Sequence, residues 1–357
     1  MPSVFGENIR VSIFGQSHSE AIGVVVDGLP AGFEVDMDAL NAFLARRAPG
    51  QGKFTTARKE SDLPEFVSGI VDGVTCGAPL CALIRNKDTR SGDYADLRDH
   101  PRPSHADYPA YVKFGAAHDI RGGGHFSGRL TAPLCIAGGI ALQMLAGRGV
   151  RVGAHLCSVG DVQDERFDPV GVSERDFERI AANGFPVLDE MAGARMFDAI
   201  ERARMDADSI GGTIECAATG LPAGLGDALF GGLEGRLSQA LFGIPAVKGV
   251  EFGSGFEGAR MRGSENNDPF VMQDGSVRTL TNNAGGILGG ITTGMPLIMR
   301  VAIKPTPSIG RAQRSVSLSE GEPYELTIRG RHDPCIAPRA VPVVEAAAAL
   351  VLLDMMM

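Results

Sequence analysis

Three short stretches gather histidine, arginine, serine and glycine: Gly15-Gln16-Ser17-His18-Ser19, Arg121-Gly122-Gly123-Gly124-His125-Phe126-Ser127-Gly128-Arg129 and Gly330-Arg331-His332-Asp333-Pro334-Cys335. These residue types suit recognition of an anion. Glycine lets backbone N–H groups converge on one point, and arginine offers a fixed fork of donors. Histidine titrates near neutral pH and can move a proton. The whole chain is acidic, with a formal net charge of -9, so its cationic character is local. A nucleic-acid binder would present a basic face instead. The three segments lie far apart, and one site for a small anionic substrate has to be assembled by the fold.

Each segment also admits a plainer reading. Ser17-His18 lies between two strand-like runs, as either a turn with a surface histidine or a proton donor and phosphate contact. In Arg102-Pro103-Ser104-His105-Ala106-Asp107, Arg and His stand three apart and Asp107 is placed to orient His105. The run Arg121–Arg129 puts three glycines before a helix start, as an anion or cofactor nest or a flexible turn. It is no Walker loop, since no Gly-Lys-Ser/Thr follows. Lys304-Pro305-Thr306-Pro307-Ser308 is a stiff loop whose Lys and hydroxyls suit a phosphate, or a proline-rich turn. Arg331-His332-Asp333 is a catalytic cluster or a structural ion pair. Gly253-Ser254-Gly255-Phe256-Glu257-Gly258 matches GxGxxG, but a poor helix follows and no βαβ unit surrounds it, so it reads as a decoy.

The elements that must position these groups alternate between strand and helix. Strands are expected over 8–14, 22–27, 65–71, 80–85, 151–159, 213–218, 247–252, 297–303 and 323–329. Helices are expected from Asp36 or Asp38 to Arg47, over 127–145, from Ser173, over 192–206 and 233–242, and as a buried terminal helix over 340–357. Residues 48–62, 86–103 and 257–281 read as polar loops. The expectation is one α+β domain spanning 1–357, with helices between antiparallel sheets. No apolar run reaches the ~20 residues of a membrane span, and Met1–Glu7 reads as neither signal nor transit peptide. The six cysteines lack CxxC spacing, which points to buried free thiols in a reducing cytoplasm and to no metal site.

Taken together and in order, these segments resemble the chorismate synthase family across nearly the whole chain. The resemblance is carried by residues 15–30, 102–108 and 121–131, by Asp208-Ser209-Ile210-Gly211-Gly212 and Pro245-Ala246-Val247-Lys248-Gly249, by residues 283–290, by Lys304-Pro305-Thr306, and by residues 331–346 with the very specific Arg331-His332-Asp333-Pro334-Cys335. It implies a β-α-β sandwich and a carbon–oxygen lyase that converts 5-enolpyruvylshikimate 3-phosphate to chorismate by 1,4-elimination of phosphate. The resemblance also implies reduced FMN as cofactor and a homotetramer. The lack of a dinucleotide unit points to an external flavin reductase, with NADPH entering only indirectly as a source of electrons. No nucleic acid or membrane is implied as a partner.

By match to the family motifs, Ser17, Arg47, Lys53, Arg102, Arg129 and Arg331 would hold the substrate's two carboxylates and phosphate. His18 would stabilise or protonate the leaving phosphate, His105 would protonate or stabilise the reduced flavin ring, and Asp333 would help relay the substrate's proton. His125, Phe126, Ser127, Pro245, Ala246, Gly289, Lys304, Pro305, Thr306, Pro307, Ser308 and Arg331 would line the FMN site. The chain departs from the family pattern at Gln16, Ser19, Lys53, His125, Phe126 and Pro307, where Glu, Gly, Arg, an Arg-Ser pair and Ser are usual. These departures leave a flavin-binding homologue that has lost turnover as the alternative.

Overall fold

The computed structural model describes residues 3–50, 62–86, 96–328 and 333–357. In the N-terminal part run β1 (Val4–Phe5), β2 (Arg10–Gly15), β3 (Ala21–Asp27), α1 (Met37–Arg47), β4 (Glu65–Ser68), β5 (Ile70–Val71), β6 (Val74–Thr75), β7 (Leu80–Arg85), α2 (Asp107–Phe114) and α3 (Thr131–Ala146). Then follow β8 (Arg151–Val159), β9 (Val162–Gln163), α4 (Glu174–Ala182), α5 (Glu190–Met205), β10 (Gly212–Thr219), α6 (Leu233–Phe242), β11 (Val247–Phe252) and α7 (Gly263–Asn266). The chain ends with β12 (Phe270–Gln273), β13 (Ser276–Thr279), β14 (Ile287–Leu288), β15 (Ile291–Thr292), β16 (Leu297–Ile303), β17 (Gln313–Val316), β18 (Pro323–Leu326) and α8 (Ala337–Met355).

Two five-stranded antiparallel sheets dominate, in the orders β1-β2-β3-β7-β4 and β11-β16-β10-β8-β9. Helix α3 packs on the first sheet, α8 on the second, and the two helices pack on each other. The expected sandwich of central helices between antiparallel sheets is therefore present. Helices α4 and α5 are an addition to it: they cover the outer side of β8, where Phe177 lies against Gly153. That outer cover explains why β8 is buried continuously from Gly153 to Val159 rather than alternately.

Small residues let the central helices approach closely. A Cβ added at Gly138 of α3 would lie 2.2 Å from Ala346 Cβ of α8, and one at Gly139 would meet Leu40 of α1 at 2.6 Å. The stretch Gly128–Ala146 is long and apolar enough to cross a membrane by length and composition; here it is interior to the sandwich. Glu345 of α8 is 3% exposed and accepts from Arg46 Nη1 and Nη2 at 2.7 and 2.8 Å and from the Ala154 N–H at 2.9 Å. A single carboxylate thus ties α1 and β8 to the central layer. Asp36, rather than Asp38, caps α1 by accepting from the Ala39 N–H at 2.9 Å.

Several expectations need correction. Residues 257–281 are no loop: they form a short 3₁₀ segment, α7 and the β12–β13 hairpin. The hairpin turns on Asp274-Gly275, both at positive φ, a turn pair that suits the twist of adjoining strands. The expected helix over 127–145 begins as a 3₁₀ turn at Gly128–Leu130, and the α-helix starts at Thr131. The terminal helix begins at Ala337, three residues early, because Pro338 suits its first turn. All six cysteines are free, but Cys76 is exposed and Cys81 half-buried. The decoy around Gly253 follows β11, whose pairing with β16 is antiparallel, so no parallel βαβ unit frames it.

Candidate active site

The glycine run is the hub of the site. Gly122, Gly123 and Gly124 all have positive φ, at 60°, 85° and 56°, a region that glycine reaches without penalty. An added Cβ at Gly122 would lie 2.4 Å from His18 Nδ1 and from Ser17 Oγ, and one at Gly123 would lie 3.2 Å from His105 Nε2. The run therefore separates two histidines that are 87 positions apart in the chain. Ser17 and His18 sit on the β2–β3 turn, which Ser19 braces by donating to the Gln16 carbonyl at 2.8 Å. The Ser17 N–H donates to the Gly124 carbonyl at 3.1 Å, docking that turn onto the run. Ser17 and His18 are both buried, which removes the reading of His18 as a surface histidine.

His105 is held from the other side. Its Nδ1 lies 2.6 Å from Asp107 Oδ1. Ser104, just before it, has φ of 59° and takes the Lys304 ammonium on its carbonyl at 3.1 Å. Arg102 places Nε 2.7 Å from Asp107 Oδ2, Nη2 2.8 Å from Oδ1, and Nη1 3.1 Å from Ser308 Oγ. Burial, then the Arg102 and Lys304 charges, push the His105 pKa down. Asp107 opposes them without prevailing. Burial and the neighbouring Lys248 charge likewise lower the Lys304 ammonium.

A third cluster gathers arginines around one carboxylate. Asp62 Oδ2 accepts from Arg47 Nη1 at 2.6 Å, and Asp62 Oδ1 pairs with Arg129 Nη1. Arg47 also donates to Thr131 Oγ1 at 3.1 Å and to the Gly128 carbonyl at 3.0 Å. Arg129 donates to Asn86 Oδ1 at 3.2 Å. Arg339, in the first turn of α8, donates to the Arg47 carbonyl at 3.0 Å and to Asp333 Oδ2 at 2.5 Å. Burial, followed by the charges of Arg339 and Arg129, lowers the Arg47 guanidinium to about 10, against the pull of Asp62. Asp333 thus joins this cluster through Arg339.

Other expected site residues fall into place unevenly. Ala246, at positive φ, accepts from the Lys304 N–H at 3.0 Å, which brings Pro245-Ala246 to the 304–308 loop. Thr306 is tied in by Ser209, whose hydroxyl donates to its carbonyl at 2.7 Å, and Pro307 accepts from Gln313 at 3.3 Å. Pro305 lies against Gly211. His125 spends both ring nitrogens within the protein, Nδ1 on the Gly15 carbonyl at 3.0 Å and Nε2 on Ser3 Oγ at 3.2 Å. Phe126 packs with Phe114 and His118, and Ser127 Oγ caps the turn at Arg129. Gly289 lies in the β14–β15 turn, and no hydrogen bond joins it to this cluster among the described residues. Lys53 and Arg331 lie outside the described residues. Asp62, Asn86 and Arg339 were not expected from the sequence; no local pattern marks them, because each meets its partner only in the fold.

The chorismate synthase family model matches residues 9–357. The chain belongs to the chorismate synthase family. It is 50% identical over 350 residues to the chorismate synthase of Thermococcus gammatolerans, covering 98% of this chain and 96% of that one. It is 47% identical over 365 residues to the chorismate synthase of Lancefieldella parvula, with 99% and 96% covered. A solved structure titled "Crystal Structure of Chorismate Synthase" superposes with a TM-score of 0.77 at 27% identity, over 98% of this chain and 92% of that one. The fold and family expected from the motifs are therefore those found.

The glycine hub makes a first prediction for this chorismate synthase. Gly122→Ala places a methyl group 2.4 Å from His18 and Ser17 and adds about 1–2 kcal/mol of backbone strain. A shift of His18 by about 1 Å is expected to cost on the order of 10²-fold in phosphate release, with the chain still folded by circular dichroism. A folded variant with the wild-type rate would show that His18 need not stand where the glycine run holds it.

Proposed function

We propose that this chorismate synthase carries out the 1,4-elimination with the groups gathered at the glycine hub and with reduced FMN as the cofactor they accommodate. The observation that carries this reading is the convergence of His18, His105 and the arginine cluster on one run, Gly122 to Arg129. The substrate brings two carboxylates and a phosphate, which calls for several guanidinium or ammonium groups. Arg47, Arg102 and Arg129, with Lys53 and Arg331, supply that charge, and Ser17 adds a hydroxyl. His18 stands beside Ser17 to stabilise or protonate the departing phosphate. Asp333, steered by Arg339, relays the proton that leaves the ring carbon, as that C–H pair becomes a new double bond, the existing ring double bond moves one position along, and the C–O bond to phosphate breaks, its electron pair leaving with the phosphate.

Buried, partnerless hydroxyls support the fit of a polar cofactor. Ser17 Oγ and Thr306 Oγ1 are buried with no hydrogen-bond partner among the described residues, which is costly unless a ligand completes them. Thr306 lies in the 304–308 loop with Lys304 and Ser308, a set suited to a phosphate tail. Pro245, Ala246, Gly289 and His125–Ser127 complete the proposed FMN lining. When bound, the reduced flavin supplies the electron chemistry that the protein's own side chains cannot. His105 presents Nε2 toward the hub, where it would accept a hydrogen bond from that ring and stabilise it.

Further parts of the reading concern the assembly and its supply of electrons. Leu229 and Phe230 are 87% and 99% exposed, and exposed apolar groups of this size favour a partner surface, in keeping with a homotetramer. The antiparallel setting of the Gly253 segment offers no dinucleotide unit, which favours an external, cytoplasmic flavin reductase over direct use of NADPH.

The test is anaerobic phosphate release from 5-enolpyruvylshikimate 3-phosphate with chemically reduced FMN and no NADPH. Turnover is expected, with His18→Ala and His105→Ala each slower by at least about 100-fold. No turnover by a protein that still binds FMN would support the inactive homologue instead. Unchanged rates in both variants would sink the assigned roles.

A further inference from the structure

The carboxylate of Asp107, placed by its spacing to orient His105, is the best-connected acceptor at the hub. It opens α2 and is 2% exposed. Four donors converge on its two oxygens. Oδ2 accepts from the Arg102 N–H at 3.1 Å and from Arg102 Nε at 2.7 Å. Oδ1 accepts from Arg102 Nη2 at 2.8 Å and from His105 Nδ1 at 2.6 Å.

We propose that Asp107 is a positioning residue that fixes His105 as its Nδ1–H tautomer, with Nε2 turned to the hub, and at the same time locks the Arg102 fork. The proposal rests on the functional reading above only in assigning His105 and Arg102 to the reaction. The tautomer follows from the geometry. Arg102 Nη2 also lies 3.1 Å from His105 Nδ1, and Nδ1 cannot both accept from Arg102 and donate to Asp107. An ionised carboxylate can only accept, so at 2.6 Å the proton sits on Nδ1. The two neighbouring donors, Nδ1–H and Nη2–H, share Oδ1 as their common acceptor. That leaves Nε2 as the ring atom facing Gly123, where an added Cβ would lie 3.2 Å away.

The arrangement also ties the two halves of the site together. Arg102, gripped by Asp107 on Nε and Nη2, reaches Ser308 with its remaining nitrogen at 3.1 Å. A substrate-side arginine, the second histidine and the 304–308 loop are thereby held by one carboxylate. The charged groups facing His105 are Arg102 and Lys304, which disfavour its protonation, and Asp107, which favours it. Asp107 is itself held well below the usual carboxylate range: burial opposes this, but Arg102 and His105 prevail. It therefore stays an acceptor across the working pH range.

Asp107→Asn keeps the shape and removes the charge. Its amide can accept at one atom only, so Arg102, which donates to both oxygens of Asp107, faces a donor in either orientation, and His105 does so when the NH2 group replaces Oδ1. Phosphate release is expected to fall by about 10–100-fold, and the His105 pKa, followed by NMR, is expected to fall further. In a His105→Ala background the same substitution should cost clearly less, because part of its effect acts through His105. Full additivity of the two losses, or an unmoved His105 titration, would overturn the proposal. If Asp107→Asn does not fold, ring-nitrogen NMR of the unaltered protein still decides: a protonated Nδ1 with bare Nε2 is expected, and the opposite tautomer would refute it. Failure of the unaltered protein to release phosphate would count against the functional reading and leave the tautomer result standing.

Discussion

His155→Gln is expected to destabilise the protein by about 3–5 kcal/mol, the range for removing one partner of a buried ion pair. His155 lies in β8 with no exposed surface. Its Nδ1 is 2.9 Å from Asp164 and its Nε2 3.1 Å from Glu215. Both carboxylates already accept backbone N–H groups, Asp164 from Leu188 and Asp189 and Glu215 from Phe167. Each therefore acts as an acceptor, and both ring nitrogens donate, so the ring is an imidazolium. Burial disfavours that charge, but the two carboxylates prevail and the His155 pKa is raised. Its stabilisation is therefore complete below the ordinary value of about 6.5 and fades as pH rises through the raised folded value. Asp164 behaves oppositely. Burial would raise its pKa, but His155 and the two N–H groups lower it, so its share is present above about pH 4 and lost in acid. The gap between wild type and variant should be widest at about pH 4–6.5 and narrow in alkali. With an unfolding entropy near 2.1 cal/mol/K per residue, the melting temperature should fall by about 4–7 °C. Melting curves that coincide across this range would show that the imidazolium is not holding the sheet.

That network was invisible in the sequence for a simple reason. A lone histidine within the apolar strand Arg151–Val159 has no local partner: Asp164 is nine residues on and Glu215 sixty. The strand itself was legible, because a run of apolar and β-branched residues bounded by Gly149 and Gly160 admits little else. The same holds for Leu80–Arg85, Val247–Phe252 and Leu297–Ile303, whose limits are as expected. Which strands pair is another matter. The order β11-β16-β10-β8-β9 joins segments far apart in the chain, and pairing energy of that kind leaves no periodic trace. The β12–β13 hairpin had a local signal in Asp274-Gly275, but the surrounding polarity outweighed it.

Within the site, legibility followed distance along the chain. His105 and Asp107 are two residues apart, so their pairing could be anticipated from the motif. The docking of Gly122 on His18 and the meeting of Arg47 with Arg129 needed the fold. The family motifs named most of the arginines and histidines, and Asp107 and Asp333 with them, but not the Asp62 carboxylate that pairs Arg47 with Arg129. Asp62 sits at the end of a polar loop, and Arg339 is one charge in an apolar helix. Neither position suggests its function until the partners are seen. His125 shows the converse. Its type and place suggest a ligand contact, yet both ring nitrogens serve to bind Gly15 and Ser3.

Asp62→Asn is the sharpest test of how the arginine cluster tolerates its own charge. Asp62 is 2% exposed and has φ of 48°, a region that Asn also adopts, so the substitution removes charge without straining the backbone. It leaves Arg47 and Arg129, both buried, with Arg339 nearby and Asp333 as the remaining carboxylate. Burial works against the ionised Asp62, but Arg47 and Arg129 prevail and its pKa lies below the ordinary value. The stabilisation it gives is present above about pH 4 and lost as pH falls through the depressed folded value. At neutral pH the variant is expected to lose about 3 kcal/mol, and the difference from wild type should vanish only in strong acid. A second consequence follows if these arginines receive the substrate's anionic groups. An added anion then replaces the missing carboxylate, and binding to the folded state alone stabilises it by RT ln(1 + [L]/Kd). Inorganic phosphate should therefore raise the melting temperature of Asp62→Asn more than that of wild type, in which Asp62 already occupies the guanidinium groups. Equal shifts for the two proteins would mean that Asp62 and the ligand do not compete for the same charges, and the arginines would then have to bind substrate with Asp62 still in place.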